Sequence, residues 1–336
     1  MKPVSYQANF SKKGEHMANI KDIAKLAGVS VTTVSRVLNN HPYVSEEKKE
    51  AVRYAMEQSN YRPNINAVHL SKGKTNLIGV VIPFINHPYF GLLVEGIANE
   101  AVSNNYKLVL FQTNYEEERE LEALLMLKNK QIDGLVIGSR ICHWEVIKEY
   151  IDYGPIVVCE DAREQQVAST YINHYESFSI ALEYLHRKAH NEIGYCIGRK
   201  SGSNSTQRDL AYRDFLAKNN IDYNPSFVFS NCFKFEDGVR VVDLLTTMKK
   251  TPSALLVTSD QVAAGILTCC RERNIQVPHQ LAIMGFDNQP IAKIMNITTL
   301  EIPIVEIGRS LFRQALESET VTHNEIAVKL IERLTV

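Results

Sequence analysis

Apolar positions between Asn19 and Gln58 recur three or four residues apart in three short bursts, the period of amphipathic helices. Asn19 precedes the first burst and Asp22 follows three residues on. This spacing predicts a variant capping box, in which each side chain satisfies the other's free backbone N–H, and a helix starting near Ile20. Ile23, Ala24 and Ala27 form its apolar stripe, and Gly28 supplies a positive-φ turn. Ser30 is placed to cap a second helix, Val31 to Asn39, with Val34, Val37 and Leu38 on one face. A third starts at Ser45, carries Glu46 and Glu47 where the helix dipole favours acids, and buries Val52, Ala55 and Met56. Three short helices around a glycine turn make a helix-turn-helix.

Beyond the polar stretch 72–76 the rhythm changes to short apolar runs separated by amphipathic segments. Residues 77–83, 107–111, 134–138 and 155–159 read as buried strands, and the pattern restarts at 193–198, 254–258 and 281–285. Such alternation predicts two parallel, doubly wound α/β lobes. Ligands of these sheets bind outside the carboxyl ends of the strands. The residues there are 83–90, Glu160 and Asp161, 198–208, Asp260 and Gln261, and Asp287 and Asn288. They mix aromatics, arginine, carboxylates and amides, the set that stacks on and forks around a small polar ligand. A carboxylate at a strand end also serves as a cap for the next helix, and Asp260 fits that role as well. Tyr89 and Phe90 equally suit a core or an interface.

Charge adds to the picture of the head. The chain has 37 basic and 38 acidic residues, yet residues 1–76 hold 12 basic against 6 acidic, leaving 25 against 32 in the rest. A basic head on an acidic body suits a polyanion partner, because Lys and Arg gain affinity by displacing condensed counterions. The outward face of the second helix carries Val31, Thr32, Ser35 and Arg36 rather than long solubilising chains. Arg suits guanine O6 and N7 in a major groove, and Ser or Thr suit phosphates or bases. A three-helix packing module with a polar surface is the bland alternative.

Other chemistries recede. The six cysteines, at 142, 159, 196, 232, 269 and 270, lack metal-ligand or redox-motif spacing and read as reduced, buried thiols of a cytoplasmic protein. No run of 18 uncharged apolar residues or leader-like h-region occurs. Gly73-Lys74-Thr75 ends like a phosphate loop, but Val68 stands where its first glycine belongs, and neither a dinucleotide fingerprint nor a nucleophile elbow is present. Neither an enzyme, a cofactor nor a metal is expected.

The stretch Asn19 to Asn39, with Val44-Ser45 and Asn60-Tyr61-Arg62-Pro63-Asn64, closely resembles the DNA-binding head of the lactose/galactose repressor (LacI/GalR) family; Thr33 to Asn39 reproduces its T-V-S-R-V-L-N run. The resemblance extends to about residue 334 through Ile82-Pro83, His87-Pro-Tyr-Phe90, Asp133-Gly-Leu, Arg208-x-x-Ala-Tyr212, Thr258-Ser-Asp-Gln261, Gly285-Phe-Asp-Asn288 and Thr298-Thr-Leu. It implies a helix-turn-helix head on a periplasmic-binding-protein-like body and a cytoplasmic homodimeric regulator, a repressor. Such a protein binds a near-palindromic operator on double-stranded DNA and senses a small-molecule effector such as a sugar.

Residue by residue, the resemblance makes Val31 and Thr32 variable base readers and Arg36 a shared one, with Ser30, Thr33, Ser35 and Asn39 set against phosphates. Residues 64–71 become a hinge helix that orders when two copies pair in the minor groove, with Asn64 at its start, Ala67 at the close approach and Leu70 as the wedge between base pairs. Arg208 and Asp260 would grip the effector, Phe233 would stack on it, and Glu160 stands where relatives often carry an acid. Asn204 and Gly202 occupy specificity positions, Gly202 arguing against a purine; Tyr89, Phe90 and Asp287 complete the expected site. Ala211 replaces the usual glycine of the Arg-x-x-Gly motif.

The domains expected are an extension over 1–18, a head over 19–63, a hinge and linker over 64–76 and a body over 77–336. The first lobe is expected over 77–174 and 289–320, the second over 175–288 and 321–336. A purine-rich coding possibility for Lys12-Lys-Gly-Glu15 marks Met17 as the expected native start. Family tetramers use an added C-terminal heptad segment, and 329–336 lacks that pattern, so a dimer is expected. The competing reading is control by a partner such as a phosphorylated carrier protein, with a vestigial pocket. A third is a sugar-processing α/β protein with an accessory DNA head.

Overall fold

The computed structural model describes residues 18–39, 41–61, 73–317 and 320–336. The chain divides between Lys74 and Thr75 into two compact units.

The head contains α1 (Ile20–Leu26), α2 (Val31–Leu38) and α3 (Glu46–Gln58). The Asn19–Asp22 capping box forms as expected: Asp22 N donates to Asn19 Oδ1 at 3.3 Å and Asn19 N to Asp22 Oδ2 at 2.9 Å. Gly28 turns the chain at φ +66° and Ser30 caps α2, accepting from Thr33 N at 3.1 Å. Ser45 precedes α3 but makes no side-chain cap bond. Ile23, Ala24, Val34, Val52 and Ala55 form the buried centre, with Met56 packed only partly against it.

The body has two six-stranded sheets. The first runs in the order β11-β5-β4-β3-β1-β2, from β1 (Leu77–Ile82), β2 (Lys107–Gln112), β3 (Gly134–Ile137), β4 (Ile156–Val158), β5 (Ala168–Tyr171) and β11 (His323–Glu325), all parallel. The second runs β12-β10-β9-β8-β6-β7, from β6 (Ile193–Cys196), β7 (Val228–Phe229), β8 (Ala254–Val257), β9 (Ala282–Asp287), β10 (Thr298–Glu301) and β12 (Lys329–Ile331). Only β12 is antiparallel to its neighbour there. Helices α4 (Pro88–Ser103), α5 (Glu117–Lys128), α6 (Trp144–Lys148) and α12 (Ile304–Leu316) accompany the first sheet, and α7 (His174–Arg187), α8 (Ser203–Lys218), α9 (Phe235–Thr247), α10 (Asp260–Glu272) and α11 (Pro290–Met295) the second.

The chain crosses between sheets three times, and the lobe boundaries need correction. Strand β10 pairs with β9, so the second lobe continues to about 301 rather than ending at 288, and β11 joins the first sheet although 321–336 was expected in the second lobe. The short polar segments Thr-Thr-Leu-Glu and His-Asn-Glu carry no periodicity that assigns a sheet; pairing does so. Residues 107–112 also differ from the buried strand expected: β2 lies at a sheet edge, with Lys107, Leu110 and Gln112 exposed. The body begins at Thr75, two residues before its first strand, because Asp133 Oδ1 accepts from Thr75 N at 2.7 Å and Asp133 Oδ2 from Asn76 N at 2.8 Å.

Helices α4 and α12 cross backbone to backbone. A Cβ on Gly96 would lie 2.0 Å from Val305 O, and one on Gly308 would lie 2.2 Å from Leu93 O. No side chain fits at either position without parting the helices.

Candidate functional site

On α2 the apolar side of the helix turns inward through Val34; Thr32, Arg36 and Asn39 are exposed on the other side, and Val31 is exposed in the first turn. Thr33 and Ser35 are half-buried. Ser30 and Thr33 hydroxyls lie 2.9 Å apart, and Asn39 Nδ2 donates to Ser35 O at 3.0 Å, so internal bonds fix both ends of the helix. The result is a short helix presenting one apolar residue, one hydroxyl, one guanidinium and one amide, chemistry that fits a major groove. Tyr43 and Tyr54, which the sequence reading did not single out, are also largely exposed on the head. Asn64, Ala67 and Leu70 lie outside the described residues.

In the body, a cleft of about 990 Å³, its open mouth included, lies at the carboxyl ends of both sheets. Seven of the eight expected effector residues line it: Tyr89, Phe90, Glu160, Asn204, Arg208, Phe233 and Asp287. Tyr89 and Phe90 come from the first turn of α4, Glu160 from the end of β4, Asn204 and Arg208 from the first turns of α8, and Asp287 from the end of β9. The strand-end rule therefore places the cleft correctly.

Asp260 is the exception. It is fully buried at the start of α10, where it accepts from Gln289 N at 2.7 Å and from Thr299 Oγ1 at 2.8 Å. Gln289 Nε2 in turn donates to Asp287 Oδ2 at 2.9 Å. Asp260 thus ties α10 to β10 and supports the cleft from one layer behind, instead of gripping a ligand itself. Burial pushes its carboxyl up to about 7, against the opposing effect of those hydrogen bonds. Burial also raises Asp287 well above the carboxylate range, helped by Asp260 and opposed by Arg208.

Glu160 lines the cleft but its oxygens are already engaged. Arg140 Nε donates to Oε1 at 2.5 Å and Ser203 Oγ to Oε2, a bond from the second lobe to the first. Arg140 lies over the Trp144 ring at 4.0 Å. Arg199 makes a second interlobe tie, donating to Arg140 O at 3.0 Å while its guanidinium lies 4.5 Å from the Tyr115 ring centre. Tyr115, Phe84 and Phe233 form an aromatic cluster, with Phe84 and Phe233 edge to face at 5.7 Å.

Four polar atoms of cleft-lining residues are shielded from solvent and have no hydrogen-bond partner: His87 Nδ1, His174 Nδ1, Arg208 Nε and Ser259 Oγ. Leaving such groups unpaired costs about 1–3 kcal/mol each. Burial holds His87 down to about 4 and His174 well below the ordinary imidazole range, the Arg208 charge adding to the latter, so both rings are neutral near pH 7. Each neutral ring offers one donor and one acceptor. The sequence reading quoted His87 and Ser259 only within longer motifs and gave them no role; Tyr115 and Arg140 follow β2 and β3 by three residues but were not singled out, and His174 follows β5, a strand not read from the sequence.

Among the described residues no helix is long and apolar enough to cross a membrane.

Comparison with known proteins agrees with both units. The family model described as bacterial regulatory proteins, lacI family, matches residues 19–64, and the periplasmic binding protein-like domain matches 182–336. From Bacillus subtilis, an uncharacterised helix-turn-helix transcriptional regulator, YkvZ, is 42% identical over 95% of this chain and all of its own length. The NTD biosynthesis operon regulator NtdR of the same organism is 38% identical, covering 90% of this chain and 93% of that one. Among solved structures, a lac repressor dimer bound to operator and the anti-inducer ONPF has a TM-score of 0.79 at 22% identity, covering 95% of this chain and 98% of that one, a likeness of fold. These relatives are transcription regulators rather than enzymes. The chain belongs to the lacI family of bacterial regulatory proteins, DNA-binding transcriptional regulators built from a helix-turn-helix head and a two-lobed body.

Proposed function

We propose that this regulator is a cytoplasmic homodimeric repressor whose affinity for a near-palindromic operator is set by a small polyhydroxylated metabolite, of the sugar class, held in the interlobe cleft. The observation that carries the reading is the lining of the cleft, where Arg208, Asp287 and Asn204 converge with the aromatic side chains of Phe233 and Tyr115. A ligand rich in hydroxyls suits such a mixture of charged and amide groups, while Phe233 and Tyr115 offer faces for its C–H surface. Names among the relatives support the sugar class: one is the sucrose operon repressor of Pediococcus pentosaceus, 31% identical over 94% of this chain.

On the DNA side, Arg36 and the exposed Val31 and Thr32 are the base readers, with half-sites about one helical turn apart. Ligand-dependent change in the angle between the lobes would be passed to the DNA-binding head, altering affinity without altering α2.

The test pairs two readouts. Operators are selected from fragmented source DNA by the purified full chain, and a panel of mono- and disaccharides is scored by thermal shift and by its effect on operator binding. Arg36→Ala is expected to weaken the selected operator by about 1–3 kcal/mol and to relax discrimination at one base pair. Arg208→Ala is expected to retain operator affinity and lose the response to whichever sugar shifts the wild type. Operator binding that no sugar alters, but that a phosphorylated carrier protein does, would overturn the effector assignment and leave the DNA assignment standing.

A further inference from the structure

Beside the effector cleft, two thiols meet on the face of the second sheet that packs against α9 and α10. Cys196 ends β6 and is wholly buried; Cys232 lies in the loop after β7, is 3% exposed and lines the cleft. Both belong to the same apolar cluster. The backbone brings them together: Ile197 N donates to Phe229 O at 2.8 Å, and Cys232 N returns a bond to Ile197 O at 3.1 Å. These bonds set Cys232 beside Ile197, the residue next to Cys196; a disulfide needs about 4.4–6.8 Å between Cα atoms. Arg240 of α9, exposed on its outer side, reaches in with Nη2 3.7 Å from Cys232 Sγ and bonds the carbonyls of Ser230 and Asn231 at 3.0 Å each.

We propose that Cys196 and Cys232 form a reversible disulfide on exposure to a hydroperoxide, making this lobe a thiol oxidation site next to the effector cleft. Cys232 is the attacking sulfur. Its thiolate attacks the terminal peroxide oxygen, the O–O bond breaks, and water (or an alcohol) leaves with the proton from the Cys232 thiol, giving a sulfenic acid. The Cys196 sulfur then attacks the Cys232 sulfur; the S–O bond breaks and hydroxide departs with the Cys196 proton as water. Two thiols have given two electrons to the peroxide, and with hydrogen peroxide two waters are produced.

The division of roles follows from the surroundings. The neighbouring Cys196 thiol and the Arg240 charge hold the Cys232 thiol below its ordinary value, against burial and Asp237. Burial pushes Cys196 well above that value. Cys142, Cys159 and Cys270 are pushed up to about 12, 11 and 11 by burial, which leaves them poorer nucleophiles. Closing the bond would pin the 230–233 loop to the end of β6. Phe233 follows directly, its ring packed so closely over Gly198 that a Cβ there would lie 2.6 Å from it.

The full-length reduced protein is treated with a small molar excess of hydrogen peroxide, denatured, alkylated with iodoacetamide and mapped by peptide mass spectrometry. The expected product has four alkylated cysteines and a Cys196–Cys232 cross-link, with six restored by dithiothreitol. Six alkylated cysteines after treatment, or a cross-link between other positions, would overturn the proposal. Cys196→Ser is expected to trap a sulfenic acid at Cys232, seen as a dimedone adduct; Cys232→Ser is expected to leave Cys196 reduced. Arg240→Gln is expected to slow cross-linking at least threefold, and an unchanged rate would remove Arg240 from the site.

Discussion

The head closes its hydrogen bonds over three or four residues, whereas the body closes its decisive ones over tens to hundreds. Asn19 with Asp22 and Ser30 with Thr33 make the caps of the head. In the body Asp133 anchors Thr75 from 58 positions away, and Asp260 holds Thr299 from 39 away. The interlobe bond from Ser203 to Glu160 spans 43. The head thus depends on local chemistry around a small core of five buried residues, and the body on side chains that matter only once the sheets have formed. Losing a cap weakens one helix; losing a close approach in the body parts two layers.

The difference should show most strongly at the α4–α12 crossing. Gly308→Val places carbon inside contact distance of Leu93 O and is expected to cost roughly 3 kcal/mol or more, the upper range for overpacking. At about 2–4 °C per kcal/mol for a domain of this size, the body's melting temperature should fall by roughly 6–12 °C. A calorimetric scan with an unshifted body transition would break the argument.

Asp260 gives the next effect, through pH. Its native carboxyl titrates near 7 where an unfolded aspartate titrates near 4, so the folded state binds the extra proton. The sign follows: its contribution to stability is present below about pH 4 and is lost as pH rises through 7. Asp260→Asn, which can still accept from Gln289 N and pair with Thr299, removes this dependence. Relative to the variant, the wild type is expected to lose roughly 3–4 kcal/mol between pH 4 and 8, from about 1.4 kcal/mol per pKa unit. Urea midpoints that run parallel in both proteins over that range would contradict the assignment.

The smallest effect is expected in the head. Asn19→Ala removes the acceptor for Lys21 N and Asp22 N and should cost about 1 kcal/mol, read as faster amide exchange confined to α1. Exchange accelerating equally in the body would contradict a purely local role for this cap.

Legibility in the sequence followed the same division. The capping box at Asn19, the turn at Gly28 and the cap at Ser30 were all readable, because each is fixed by residues within one helical turn. The seven strands read from apolar runs form, but β5, β7, β10, β11 and β12 were not read. They are short or polar, and only pairing with a neighbour makes them strands. The cleft was located by the strand-end rule, yet Asp260 and Glu160 looked alike as carboxylates past strands. One is sealed behind the cleft by Thr299 and Gln289, and the other is spent on Arg140 and Ser203.

By itself, then, the sequence determined the helix-turn-helix, the doubly wound α/β class and the end of the sheets at which a ligand would sit, since these rest on periodicity and on caps between near neighbours. Only the tertiary structure decided which sheet β10 and β11 join, which carboxylates keep free oxygens, that His87, His174, Arg208 and Ser259 bring unpaired atoms to one cleft, and that Cys196 meets Cys232. Those outcomes depend on which distant segments become neighbours, and hydrogen bonds and burial act on a side chain only through the neighbours it acquires.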